Sequence, residues 1–187
     1  MKLRSPAFRD SEDIPALFTQ DGDNISPPLH WMDAPQRTAS FALILQDPDA
    51  PGGVFTHWVL YNIPNIMRGL DRDVAVGGHY GTQALQGINS FGDLGYGGPK
   101  PPSGEHRYIF TIYALDIVLD LEEGATKEEL IQAMTGHIVD QAKLTGLYAK
   151  HDAVDVSKEL LEERSEEDAY DLAVHYDETQ PEARDTI

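Results

Sequence analysis

Residues 41–64 read F-A-L-I-L-Q-D-P-D-A-P-G-G-V-F-T-H-W-V-L-Y-N-I-P. Phe41 to Leu45 is an unbroken apolar run, the pattern of a strand buried on both faces. It delivers two carboxylates, Asp47 and Asp49, with Pro48 and Pro51 interleaved and Gly52 and Gly53 behind them. Proline fixes φ and lacks an N–H, so D-P-D-A-P cannot continue a central strand. It must form an irregular loop of defined shape. A second strand is predicted from about Phe55, carrying His57 and closed by Pro64. A rigid acidic loop beside an inward-facing histidine is a plausible site.

Outward from this pair, Thr38 to Leu45 reads as one buried strand and His57 to Ile63 as the next. His106 to Leu115, H-R-Y-I-F-T-I-Y-A-L, is the strongest strand signal in the chain. Period two places His106, Tyr108, Phe110, Ile112 and Ala114 on one face and Arg107, Ile109, Thr111 and Tyr113 on the other. Upstream, N-I-S-P-P-L-H-W at 24–31 is too proline-rich for a helix and reads as an extended segment closed by a buried Trp31. Between the second and third strands, residues 65–105 hold ten glycines and scattered apolar positions, a length unusual for a loop without function. Glycine there suggests backbone N–H groups free to approach a ligand.

Thr126-Lys127-Glu128-Glu129 is a capping box. Leu130, Met134, Ile138 and Ala142 then recur every four residues, which predicts a helix running to a C′ glycine at Gly146. Leu147 to Ala149 is read as a short closing strand. The fold is expected to end by about residue 150. Residues 151–187 are expected to be an acidic extension with one or two short helices in Val156–Ala173 and disorder beyond 176.

Length and composition bound the function. The chain has 187 residues, no cysteine and a formal net charge of −18. Residues 151–187 carry 13 Asp and Glu against 3 Lys and Arg, so −10 of that charge sits there. Such a balance argues against nucleic acid and anionic membranes as partners. The absence of cysteine removes disulfides, thiolate nucleophiles and zinc–thiolate sites. No stretch has signal-peptide or spanning length, and a cytoplasmic location is expected.

The candidate chemistry rests on His57, His106 and Asp47. These are the ligand types of a two-histidine, one-carboxylate metal site, but their spacing neither supports nor excludes one. N-S-F-G at 89–92 is not a nucleophile elbow, and neither a phosphatase nucleophile nor a two-metal site is visible. Recognition without turnover is the reading favoured. The alternative is a metal-assisted or unrecognised hydrolase using Asp47, His57 and His106.

Several stretches together resemble the phosphatidylethanolamine-binding protein family, which includes the Raf kinase inhibitor-like proteins, and most closely its bacterial and archaeal branch. They are A-F at 7–8, N-I-S-P-P-L-x-W at 24–31, D-P-D-A-P at 47–51, H-W-V-L-Y-N-I-P at 57–64, G-x-N-S-F-G at 87–92, G-Y-G-G-P at 95–99, G-x-H-R-Y at 104–108 and G-H-I at 136–138. The resemblance covers roughly residues 3–150.

It implies a mostly β, antiparallel Greek-key, sandwich-like fold with a few peripheral helices. It also implies a small pocket for phosphate-like anions or phospholipid head groups, lined by Asp47, His57, Pro99, His106 and Tyr108 with the backbone of Gly97 and Gly98 nearby. Asp49, Pro51 and Arg107 take structural roles beside it, with a cis peptide at Ala50–Pro51. No cofactor or catalytic metal is expected. The partner is a phosphate-like small molecule or the phospho-group of a protein, with a kinase or protease as the regulated enzyme, and a homodimer is left open.

Overall fold

A computed structural model describes residues 1–75 and 84–150. The helices expected in Val156–Ala173 lie outside the described residues, and so does the 76–83 part of the glycine-rich loop.

Residues Met1–Lys150 form one compact unit. Its strands are β1 (Lys2–Arg4), β2 (Glu12–Asp13), β3 (Leu29–Met32), β4 (Ser40–Asp47), β5 (Phe55–Pro64), β6 (Gly69–Leu70), β7 (Leu85–Gln86), β8 (Glu105–Leu115) and β9 (Ile138–Ala149). A single α-helix among the described residues, α1 (Lys127–Met134), precedes β9. The fold is thus mostly β. One sheet has the order β1-β3-β6 and is antiparallel; the other runs β2-β9-β8-β4-β5-β7 and is mixed, because β2 pairs parallel with β9. No helix among the described residues is long and apolar enough to cross a membrane.

The apolar runs explain the layering. β4 is central, pairing with β5 on one side and β8 on the other. Its odd residues Phe41, Leu43 and Leu45 join Trp58, Leu60, Phe110 and Ile112 in a core shared with Leu3, Leu29, Trp31 and Leu70 of the smaller sheet. Its even residues Ala42 and Ile44 join Val59, Tyr61 and Leu115 in a second core, which Leu130 and Met134 of α1 cover. Both faces of β4 are buried, so its sequence is continuously apolar rather than alternating.

The capping box opens α1 as expected: Thr126 Oγ1 accepts from the Glu129 N–H, and the Glu129 carboxylate accepts from the Thr126 N–H at 2.8 Å. The helix does not reach Gly146. It ends at Met134, and Ile138–Ala149 is a twelve-residue strand paired with β8 along its length. Gly136 has φ +84°, a left-handed conformation that ends a helix and that glycine adopts without strain. Beyond it Leu144, Gly146 and Tyr148 are buried at period two.

The expected cis bond at Ala50–Pro51 is likewise corrected, since every peptide bond among the described residues is trans. The loop reverses instead through a turn in which the Gly53 N–H donates to the Ala50 carbonyl at 3.0 Å.

Candidate oxyanion site at the end of the central strands

β4 ends at Asp47, and β8 begins at Glu105 beside it. In this antiparallel pair the end of one strand meets the start of the other. Period two then brings His106 and Tyr108 to the face of β8 that also carries Phe110, toward the larger core. His106 Nδ1 lies 2.7 Å from Asp47 Oδ2, and both side chains are buried. The other carboxylate oxygen of Asp47 accepts the Asp49 N–H at 2.8 Å. Both oxygens are thereby engaged, and the D-P-D turn is tied to the pair.

His57 arrives by a different device. Leu45 is opposite Trp58, but the next residue, Gln46, is opposite Thr56. His57 is therefore the extra residue of a β-bulge, which re-aims a side chain that strict alternation would send to the other face. Its ring meets Tyr108 edge-on at 5.2 Å between centroids. Its Nδ1 lies 2.6 Å from the Gly97 carbonyl oxygen. A carbonyl only accepts, so Nδ1 carries the proton. Burial holds the His57 pKa below its ordinary value, against the opposing pull of the Gly97 carbonyl and the Asp47 carboxylate. The neutral ring thus presents an unprotonated Nε2.

Tyr108 is fully buried and its hydroxyl makes no hydrogen bond among the described residues. Burial raises its pKa, with the Asp47 charge adding to the effect. The Lys100 amide faces that oxygen and opposes the rise. The phenol is therefore neutral, and its proton is uncommitted. Neither His57 Nε2 nor His106 Nε2 makes a hydrogen bond to a described residue, and neither atom is sealed as the Tyr108 oxygen is.

The glycine loop contributes differently from the expectation. The Gly97 N–H donates to the His57 carbonyl at 2.9 Å, and the Gly98 N–H donates to Asn24 Oδ1 at 2.7 Å. Neither amide is free for a ligand. The Pro99 carbonyl accepts the Gln20 N–H, and the Gly98 carbonyl accepts from Gln20 Nε2. What these glycines allow is close packing. A Cβ on Gly97 would stand 2.6 Å from the Phe91 ring, and one on Gly98 would stand 2.6 Å from the Phe18 carbonyl oxygen.

Asp49 and Arg107 lie at the margin. Arg107 donates to Asp49 from its backbone N–H, from Nε at 2.9 Å and from NH2 at 2.7 Å. This bidentate hydrogen bonding from the guanidinium holds the Asp49 carboxyl well below the usual range, at about 2. The pair braces the loop that contains Pro51, and Arg107 faces away from the histidines.

Three residues not singled out from the sequence belong to this site. Phe55 and Phe91 pack against His57 at 5.0 and 5.5 Å between centroids and against each other at 4.7 Å. Asn24 anchors the Gly98 amide. Phe91 and Asn24 both sit in stretches that carried the family resemblance, so their positions were visible although their contacts were not. Among the described residues, no group of three or more His, Cys, Asp or Glu side chains is arranged to hold a metal ion. Surface clefts of about 460 and 360 Å³ run along the N-terminal segment around Phe8 and include none of these site residues.

Comparison with known proteins bears on the family and the fold. The family model described as phosphatidylethanolamine-binding protein matches residues 4–149. A protein of Methanothermobacter thermautotrophicus named UPF0098 is 53% identical over 150 residues, covering 80% of this chain and 99% of its own length. A UPF0098 protein of Aquifex aeolicus is 46% identical, covering 80% and 89%. Among solved structures, a phosphatidylethanolamine-binding protein homologue from Chlamydia trachomatis superposes with a TM-score of 0.74 at 41% identity, covering 80% of this chain and 97% of its own. E. coli YBCL, described as a member of the mammalian family, gives 0.75 at 30% identity, covering 80% and 98%. With a family match over most of its length and relatives of such identity, this chain belongs to the phosphatidylethanolamine-binding protein family.

Proposed function

We propose that this protein is a non-catalytic, cytoplasmic binding module, and that Asp47, His57, His106 and Tyr108 form its site for a phosphate-like oxyanion. One observation carries the reading. Two imidazoles and a phenol meet in a nearly buried cluster: each imidazole retains an Nε2 that no described residue bonds, and the phenol retains a proton that no described residue accepts. Buried polar groups are normally satisfied, so atoms left over in one place suit a polar ligand. Asp47 faces His106, and both its carboxylate oxygens are engaged by protein donors. The donors are side chains, not glycine-loop amides.

The family resemblance adds a regulatory role: the same site would hold the phosphorylated side chain of a protein partner, with a kinase or protease as the regulated enzyme. The test is a titration of the labelled protein with inorganic phosphate, followed by its amide and imidazole NMR signals. Shifts confined to His57, His106, Tyr108 and their neighbours are expected, and they should weaken in His106→Ala. Titration without shifts at these residues would defeat the reading.

A hydrolase is the second reading, favoured by one observation. An aspartate 2.7 Å from a histidine Nδ1 is the arrangement that orients a general base. Turnover of a phosphomonoester or an activated ester by the purified protein, lost in His106→Ala, would establish it over the first.

A further inference from the structure

The N-terminal segment and Leu144 of β9 enclose a cleft of about 360 Å³ that shares no residue with the oxyanion site. Small-molecule pockets occupy roughly 300–1,000 Å³, so the cleft suits a ligand of modest size. Its walls are tied in place. Ser5 Oγ donates to the Pro28 carbonyl at 2.7 Å and accepts the Ala7 N–H at 3.1 Å. Farther along, the Thr145 N–H donates to Asp10 Oδ1 at 2.8 Å, and the Ser11 N–H donates to the Thr145 carbonyl at 2.7 Å. The segment is thereby fastened to β9, and a ligand entering the cleft has little chain to order.

Two features set what fits. Leu3, Phe8 and Leu144 are members of the larger core and give the cleft an apolar floor. Arg4, Arg9 and Asp10 supply its charges, and the two signs differ in how far they are engaged. Asp10 is held by the Thr145 amide, and the Ser5 hydroxyl is already used as donor and acceptor. Arg9 meets Glu12 only at 3.6 Å, with 87% of its side chain exposed, where pairing contributes little. The Arg4 guanidinium has no hydrogen bond or ion pair to a described residue. What the cleft leaves over is therefore apolar surface beside cationic donors.

We infer that this cleft is a second binding site, for a small carboxylate with an apolar body, its hydrocarbon part laid on Leu3, Phe8 and Leu144 and its carboxylate at Arg4. A guanidinium matches a carboxylate in shape as well as charge, since its N–H groups can reach both oxygens. Inorganic phosphate has no hydrocarbon to cover the floor, and an alkyl ammonium would bring a like charge to Arg4. In a chain of net charge −18, the free guanidinium is a local exception to a field that otherwise turns anions away. No bond is made or broken.

The experiment titrates the labelled full chain with four probes at pH about 7, where carboxylates are ionised and alkyl amines protonated: hexanoate, acetate, 1-hexanol and hexylammonium. The NMR signals of Leu3, Phe8 and Leu144 report on the cleft, and those of His57, His106 and Tyr108 on the oxyanion site. Hexanoate should shift the first set. It should bind about tenfold or more tighter than acetate, since each methylene laid on the floor gives up to about threefold. It should also bind about fivefold tighter than hexylammonium, the scale of an exposed ion pair. Arg4 is exposed, so Arg4→Glu should fold normally and reverse the preference between hexanoate and hexylammonium. Hexylammonium or 1-hexanol binding as tightly as hexanoate would overturn the inference, as would an unchanged hexanoate affinity in Arg4→Glu. Hexanoate shifts confined to the oxyanion site, or none at all, would overturn it as well. The oxyanion reading stands apart from these outcomes and is decided by the phosphate titration.

Discussion

His57 and Gly97 hold each other twice: the imidazole Nδ1–H reaches the Gly97 carbonyl at 2.6 Å, and the Gly97 N–H returns to the His57 carbonyl at 2.9 Å. The bulge that turns His57 inward is therefore locked by the loop that passes over it. The absent Cβ of Gly97 leaves room for the Phe91 ring, which packs against the same imidazole.

That packing predicts a coupled pair. Gly97→Ala forces the Phe91 ring or the loop to move, and overpacking of this kind costs about 1–3 kcal/mol. Phe91 is 44% exposed, so its removal is tolerated and vacates the space the new methyl needs. In a Phe91→Ala background the same glycine change should cost less, with a coupling of at least about 0.5 kcal/mol. Denaturant unfolding of the two single variants and the double variant measures it. Equal costs in both backgrounds would mean that the ring does not require the glycine.

The neutral, buried His57 also predicts an acid sensitivity. Its folded pKa lies below the unfolded value of about 6.5, because burial disfavours the charged ring. The unfolded chain then binds more protons than the folded one between the two pKa values. Stability is fully present above pH about 6.5 and declines as the pH falls through that value toward the folded pKa. His57→Phe should flatten this part of the profile. Unfolding free energies between pH about 5 and 8 test it, and an unchanged slope in His57→Phe contradicts the neutral assignment.

These findings divide what a sequence can carry from what it cannot. Strands β4, β5 and β8 were legible because burial on both faces demands unbroken apolar runs. The clustered side chains Asp47, His57, His106 and Tyr108 were legible as positions because the family motifs mark them, and the structure brings them together. β9 was misread for a simple reason: Leu130, Met134, Ile138 and Ala142 are four apart, and four is a multiple of two, so the spacing fits a strand as well as a helix. Gly136 was the discriminating residue. The glycine loop was misread because composition reports which amides can approach a ligand, not which already have partners. The bulge at His57 follows from register between distant segments, which no local pattern encodes.

Residues 4–149 are the part that the family match covers, and the strands, the helix and both cores described above lie within 1–150. A fragment comprising residues 1–150 should therefore fold alone and unfold in one cooperative transition with a midpoint close to that of the full chain. Circular dichroism and calorimetry of the fragment decide this. A fragment that is unfolded or melts broadly would make residues 151–187 part of the structural core.

Asp47 and Asp49 give the last prediction, because burial and bond count point opposite ways. Asp49 accepts three hydrogen bonds from Arg107, and Asp47 accepts two, from His106 and the Asp49 amide. Counting bonds would make Asp49 the more important. Arg107 and Asp49 are exposed, however, at 56% and 30% of their side chains, where water replaces a lost partner and ion pairs contribute little. The Asp47 and His106 side chains are only 5% and 8% exposed, and an asparagine offers one acceptor oxygen where two donors need one each. Asp47→Asn leaves one of those donors unsatisfied, at a cost of about 1–3 kcal/mol. Asp49→Asn should cost less at neutral pH. Its carboxyl is held at about 2 by Arg107, so its contribution is full above the ordinary carboxylate range and is lost progressively as the pH falls from there through about 2. Urea unfolding of both variants at pH about 7, with a carboxyl NMR titration of the wild type, separates the two effects. An Asp49→Asn loss equal to or larger than that of Asp47→Asn would show that exposed bidentate pairing, rather than burial, governs this loop.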